Sequence, residues 1–276
     1  MAEFLNKPWG MAIFVIVDIA VLLLIISLNY RWLFKRTLDF LFSIVFLAVL
    51  FPFFLVVLVI DAIYNKATNA WRSLFTKEMY CGKKGKPFTA IVFTTERILR
   101  DEEGNLLPED SRTTPFGRFL KNSGMKYYPM LLSVLIGKMS FVGPRPLTLT
   151  DSVAIGEDGV VRFSVRPGLA SSLDRYGGEN LTYAEMFEED EEYVSHIKLF
   201  SDISFFVTKI VNKLRGELIN KYGEASQKSY VQALLDAGEI TEEEAKEFEK
   251  EGQDRTNARL NEKKERRDFE QRNFFR

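Results

Sequence analysis

Residues 11–28, MAIFVIVDIAVLLLIISL, form an apolar run broken only by Asp18. At about 1.5 Å per helical residue, such a run comes close to crossing a hydrocarbon core. A cleaved secretory signal is the competing reading. No small-residue cleavage site follows, however, only Asn29-Tyr30-Arg31-Trp32. Tyr and Trp suit a membrane interface, and the Arg between them suits its cytoplasmic side. The run is therefore read as a transmembrane helix. Asp18 is costly in lipid and is expected to face a partner or reach toward an edge; no chemistry is assigned to it.

A second apolar run, Leu38 to Ile60, contains Pro52 and begins with Asp39 behind Lys35 and Arg36. It is long enough to span. Lys66, Arg72 and Lys77 follow it, so both flanks are basic, which argues that both ends lie on the cytoplasmic face. Proline removes a helix hydrogen bond and kinks the backbone, as a helix that enters the bilayer and returns requires. On the flanks alone, a re-entrant helix and a kinked spanning helix stand level.

The net charge of −1 conceals a steep gradient, because the apolar residues crowd into the beginning of the chain and the charged ones dominate its end. One cysteine, Cys81, allows no internal disulfide and no multi-cysteine metal site. One histidine, His196, has no clustered ligands or triad partners around it in the sequence and is read as structural or surface.

Lys35-Arg36-Thr37-Leu38-Asp39 ahead of a Pro-broken apolar stretch resembles the point at which the bacterial sugar transferases, the monotopic polyprenyl-phosphate phosphoglycosyl transferases, enter the membrane. Further segments follow in that family's order. Gly85-Lys86-Pro87-Phe88 resembles its glycine turn and strand, and Arg112 to Lys121 (RTTPFGRFLK) resembles the approach to its catalytic pair. Gly137 to Pro146 (GKMSFVGPRP) resembles its most diagnostic string, and Val165-Arg166-Pro167-Gly168 and Asp190-Glu191-Glu192-Tyr193-Val194 complete the series. The resemblance covers roughly residues 35–215 and favours the re-entrant helix, with the body in the cytoplasm.

What the resemblance implies is transfer of a sugar phosphate from a nucleotide diphosphosugar to polyprenyl phosphate. An aspartate nucleophile, a neighbouring glutamate and a divalent cation would serve that reaction. Aligning on Arg118-Phe119-Leu120 and on Pro129 puts Lys126 and Tyr127 where the acidic pair belongs. Lys126 would repel a metal ion, and the Tyr127 phenol stays protonated unless strongly perturbed. The Lys-Phe-Arg-Thr-Met strand of the family reads here as Val92 to Glu96, its Gln-x-Arg pair as Lys77-Glu78-Met79, and its Gly-Asp-Met-Ser as Gly137 to Ser140. Scaffold strings persist while charged site positions change. The expectation is a non-catalytic homologue with no cofactor. Under the alternative, an active transferase with a non-standard site, magnesium would be needed. Replacement carboxylates would come from Asp101, Glu102 and Glu103 or from Glu188 to Glu192, both read as solvated loops or helix faces. Arg118 and Arg145 are the phosphate-binding candidates; the other reading has each bracing a backbone carbonyl or an acidic neighbour.

Beyond Arg215-Gly216 the composition changes. Ser226 to Lys250 reads as two short helices about a turn at Gly238, with Thr241 and Glu244 as a capping box for the second. Gln253 to Arg276 reads as a solvated helix or a frayed end, in which Phe269, Phe274 and Phe275 interleave with arginines.

The expected architecture is α+β and helix-rich. It comprises an N-terminal transmembrane segment (1–33), a compact cytoplasmic domain (34–215) carrying the Pro52-kinked re-entrant helix at 38–60, and a helical charged extension (216–276). The expected place is the bacterial cytoplasmic membrane. The expected partners are membrane lipid, polyprenyl phosphate and an active sugar transferase or other glycan-assembly protein. No motif or basic balance points to nucleic acid.

Overall fold

A computed structural model describes residues 7–67, 73–101, 104, 107, 109–176, 181–215 and 228–274. Arg72, Glu102, Glu103, Gly216, Ser226, Phe275 and Arg276 lie outside the described residues, as do the side chains of Trp32, Phe269 and Phe274.

Helix α1, Pro8–Leu28, starts on Pro8, whose missing N–H costs nothing in a first turn. Its large apolar side chains are exposed on every face. It stops at Asn29, whose side-chain amide donates to the Ile25 carbonyl at 3.0 Å. A π-helical turn, Tyr30–Phe34, leads straight into α2, Lys35–Ala67. This second helix begins before and ends after the expected 38–60, because its polar ends are used by the body. Asp39, Ser43, Asp61 and Asn65 are all buried, whereas Phe40, Val45, Val49, Phe53 and Val56 on other faces are exposed.

The body packs along the whole of α2. Phe46, Leu47, Leu50 and Phe54 press onto the main core of Phe88, Ala90, Val92, Tyr128, Met130, Val134 and Met139. Farther along, Val57 joins Phe93 and Leu120, and the Tyr64 ring lies 6.0 Å from that of Phe116. Pro52 cannot donate to the carbonyl one turn before it. Close by, the Tyr128 hydroxyl donates to the Leu47 carbonyl at 2.8 Å, a side chain serving helix backbone at the proline.

Strands β1, Phe75–Cys81, and β2, Pro87–Phe93, form an antiparallel hairpin, and β4, Leu147–Thr148, pairs antiparallel with the other side of β1. A separate parallel pair joins β3, Ser140–Val142, to β5, Gly168–Ala170. It brings together the two most family-like strings. The Gly168 amide donates to the Pro144 carbonyl and the Gly143 amide to the Ala170 carbonyl, each at 2.9 Å. A Cβ on Gly168 would sit 2.1 Å from the Gly143 nitrogen, so the two backbones approach as closely as they do only because both lack side chains.

Helix α3, Pro115–Ser123, is capped by Thr114, whose hydroxyl accepts from the Gly117 amide, and ends at Gly124 in the left-handed region (φ +77°). A 3-10 turn, Met125–Met130, then packs on β2 and runs into α4, Leu131–Leu135. Helix α5 is Leu149–Ala154, and 3-10 segments follow at Glu157–Ser164 and Ser172–Tyr176. Helices α6, Tyr183–Ser195, and α7, Leu199–Leu214, close the domain.

Helix α8 is Tyr230–Asp236, and the Thr241–Glu244 capping box forms as expected. The helix it starts is not short. Helix α9 runs unbroken over Glu242–Phe274, so that beyond Gln253 the helix alternative holds rather than the frayed end. Docking explains its length. Ala245 is buried, Gly252 packs on Thr150 of α5, and the Lys263 ammonium donates to the Thr89 hydroxyl. Pairs such as Glu251 with Arg255 support the helix from outside.

Candidate functional site

Three charged residues at the start of α2, Lys35, Arg36 and Asp39, turn toward the protein. The Lys35 ammonium donates to the Val142 carbonyl at 3.0 Å, to the Tyr193 hydroxyl at 2.9 Å and to the Asp202 carboxylate. Tyr30 donates to the same carboxylate at 2.6 Å, and Tyr193 does so at 3.0 Å. Arg36 donates to the Val134 and Leu135 carbonyls at 2.7 and 2.6 Å, and Arg166 donates to the Gly137 carbonyl at 2.8 Å, so two guanidiniums cap the end of α4. Asp39 accepts from the Phe141 amide at 3.0 Å. Pro52 is exposed within α2.

The left-handed Gly124 turns the chain from α3 into the segment that carries Lys126 and Tyr127. The Lys126 side chain is mostly buried against β1, its ammonium 3.2 Å from the Glu78 carboxylate. Tyr80 donates to the other oxygen of that carboxylate. Lys126 also sits 5.4 Å from the centre of the Tyr127 ring, which itself is exposed. Burial works against the Lys126 charge, but Tyr127, Glu78 and Glu96 together outweigh it and raise its pKa above the ordinary lysine value. Burial first, then Glu78, pushes the Tyr80 phenol up.

This site therefore holds a Lys126–Glu78 ion pair, with the Tyr80 hydroxyl donating to the same carboxylate. A magnesium ion prefers carboxylate oxygens, one or two of them. Here the adjoining carboxylate is already met by an ammonium and a phenol, and the residues do not fit such an ion. Among the described residues, no three His, Cys, Asp or Glu side chains converge as a metal site.

The other expected positions separate. Arg118 is exposed on α3 and its guanidinium makes no hydrogen bond or ion pair within the described residues, which leaves it available to a ligand. Arg145 lies over a buried ion pair: its carbonyl accepts from Arg162 at 2.5 Å, and Arg162 in turn meets Asp190 at 3.2 Å. Asp190 corrects the reading of Glu188 to Glu192 as a solvated face. It is fully buried, and burial pushes its carboxyl up to about 6 against the pull of Arg162. Its neighbour Glu189 is bound by Arg175 and Tyr176, so only Glu188, Glu191 and Glu192 of that run face solvent. Asp101 and His196 are exposed and Cys81 is buried.

One element escaped the sequence reading. On α7, Lys209 donates to the Leu169 carbonyl and lies 3.6 Å from the buried Asp174. One turn on, the Lys213 chain packs directly on Gly124, two residues before Lys126. Burial, then the charge of Lys209, lowers the Lys213 pKa to about 8 despite Asp174. The i, i+4 lysine spacing was visible, but not which side of the helix faces inward.

Residues 30–216 match the family described as Bacterial sugar transferase. The chain belongs to the bacterial sugar transferase family. An uncharacterized sugar transferase of Bacillus subtilis, EpsL, is 34% identical over 148 residues, which is 54% of this chain and 73% of that protein. The exopolysaccharide production protein ExoY of Sinorhizobium fredii is 27% identical over 186 residues, 61% of this chain and 80% of the relative. The undecaprenyl-phosphate galactose phosphotransferase of Salmonella typhimurium is 25% identical over 201 residues, 66% of this chain but only 41% of that larger protein. Two long apolar helices and the shared region mark this sugar transferase homologue as a membrane protein.

Proposed function

We propose that this sugar transferase homologue serves polyprenyl-linked glycan assembly at the bacterial cytoplasmic membrane without catalysing transfer itself, as a partner or scaffold for an active transferase or another assembly protein. The observation that carries the reading is the Lys126–Glu78 pair, braced by Tyr80, standing where the family resemblance calls for an acidic dyad. A protonated lysine lacks the lone pair a nucleophile needs, and its charge opposes a metal ion. The glycan context rests on relatives named for exopolysaccharide production and for undecaprenyl-phosphate sugar transfer.

The deciding assay uses purified full-length protein in nanodiscs with polyprenyl phosphate, magnesium and a panel of nucleotide diphosphosugars, scored for released nucleoside monophosphate. No release above background is expected. Turnover that disappears on Lys126→Ala would overturn the proposal and establish the active alternative. Co-purification from the native host tests partnership, since a chain that always runs alone counts against a scaffold.

The topology belongs to the same proposal. The body grips α2 both at its start, through Lys35 and the Val142 carbonyl, and near its end, through Tyr64 and Phe116. A helix crossing the bilayer could not offer both ends to one body on one side. A re-entrant α2 below a cytoplasmic body is the arrangement these contacts support. Protease treatment of intact spheroplasts should leave the body uncut; cleavage from outside would refute the arrangement.

A further inference from the structure

Asp18 is the single charged residue between Lys7 and Arg31, and it stands halfway along the 21 residues of α1. At about 1.5 Å per residue, each end of the helix is roughly 15 Å away, beyond the reach of so short a side chain. The carboxyl therefore cannot escape to an interface. Asp18 is exposed together with its neighbours, and among the described residues no side chain bonds to it. Helix α2 offers it nothing, because Asp39, Ser43, Asp61 and Asn65 are all buried. A carboxyl held at the centre of a lipid-embedded helix needs a protein partner.

The chemistry and depth of Asp18 say which partner. Two copies of this chain insert in the same direction and run parallel, so equal depth holds the same residue in each. A second α1 has no cation to offer between Lys7 and Arg31, but it presents an identical carboxyl. Where one carboxyl carries a proton, its O–H donates to the other, and two groups that are costly singly satisfy each other. Such a contact is self-complementary, as a two-fold interface requires. The surroundings fit it. Met11, Phe14, Val21 and Ile25 are each at least 47% exposed, and with Asp18 they are spaced three, four, three and four residues apart. That is the seam two parallel helices share, and a single polar residue within it fixes the register. Ile26, through which α1 joins the core, lies roughly 80° round the helix from Asp18, so the body leaves this line open.

We infer that α1 is a dimerisation helix: two copies of this chain pair in parallel along the line of Met11, Phe14, Asp18, Val21 and Ile25, with the two Asp18 carboxyls hydrogen-bonded to each other at its centre. Such a dimer sets two bodies side by side on one membrane face. The surface is separate from the degenerate site, and the inference stands whether or not that site is catalytic.

The test uses full-length protein in a Cys81→Ser background, reconstituted into liposomes at falling protein density and oxidised with copper phenanthroline. Ile25→Cys, on the Asp18 line, should form disulfide-linked dimers. Leu23→Cys, close in depth but roughly 140° round the helix from Asp18, should not. Both positions are exposed, so neither change disturbs the packing of the body. Energy transfer between donor-labelled and acceptor-labelled Glu249→Cys chains, mixed in the same liposomes, reads the dimer affinity without a cross-link. Asp18→Leu should weaken that affinity by roughly 5–30-fold, whereas Asp18→Asn, whose amide can still pair with its copy, should keep most of it. Equal cross-linking at Leu23, no energy transfer at any density, or a dimer that Asp18→Leu leaves unchanged would overturn the inference. So would a complex from native membranes in which a different chain holds α1 and Asp18→Leu releases it, which would assign the carboxyl to another protein.

Discussion

Helices α1 and α2 have nearly the same hydropathy, and sequence alone treats them as two copies of one object. They do different work. Helix α1 exposes its apolar side chains all round and joins the body's core through Ile26 near its end, whereas α2 buries a polar stripe and carries the core of the body along its length. The lesson is that apolar content reports where a helix can reside, while the placement of its few polar residues reports what it holds together. Asp39, Ser43, Asp61 and Asn65 on α2 would each be costly facing lipid, and each is buried.

This contrast can be broken at Asp202. Asp202→Ala strips Lys35 of its buried carboxylate, and the loss of one partner of a buried pair costs about 3–5 kcal/mol. Unfolding followed by circular dichroism in detergent should show the body and α2 losing stability together. Phe54→Ala opens the aromatic contact with Phe75, Phe93 and Tyr128, and for this half-buried ring a cost of about 2–3 kcal/mol is expected. A matching truncation on α1, Leu22→Ala, should change stability by less than about 0.5 kcal/mol. A large effect at Leu22 would erase the distinction between the helices.

Two smaller effects sharpen it. Lys213 titrates near 8 in the folded protein, below the ordinary lysine value, so the unfolded chain binds more protons between about pH 8 and 10.4. Stability should therefore rise with pH across that window and carry the full penalty below it. With allowance for solvent screening of this partly exposed group, Lys213→Met should gain about 1–2 kcal/mol at neutral pH and flatten the rise. Tyr128→Phe removes the bond to the Leu47 carbonyl and should cost about 1 kcal/mol, measurable as faster amide exchange in α2 around Pro52.

Much of this is legible in the amino-acid sequence. The apolar runs, the capping box at Thr241 and the strings around Gly143 and Gly168 are local patterns, and local patterns survive in sequence. Lys126 could be placed at the altered site, but its closure by Glu78 joins positions on different elements that no periodicity links. Asp190 was misread for a related reason: a run of acids looks solvated until one face of its helix is seen to meet Arg162. The length of α9 was missed because its mixed charge resembles a frayed end, and only the docking of Ala245, Gly252 and Lys263 shows otherwise.

The tie between Tyr30 and Asp202 spans 172 positions of the chain. At bacterial synthesis rates of about 5–20 residues per second, Asp202 emerges roughly 10–30 s after the helices it must secure. For that interval the Lys35 ammonium lacks its Asp202 carboxylate. The anchor is thus laid down first and locked last.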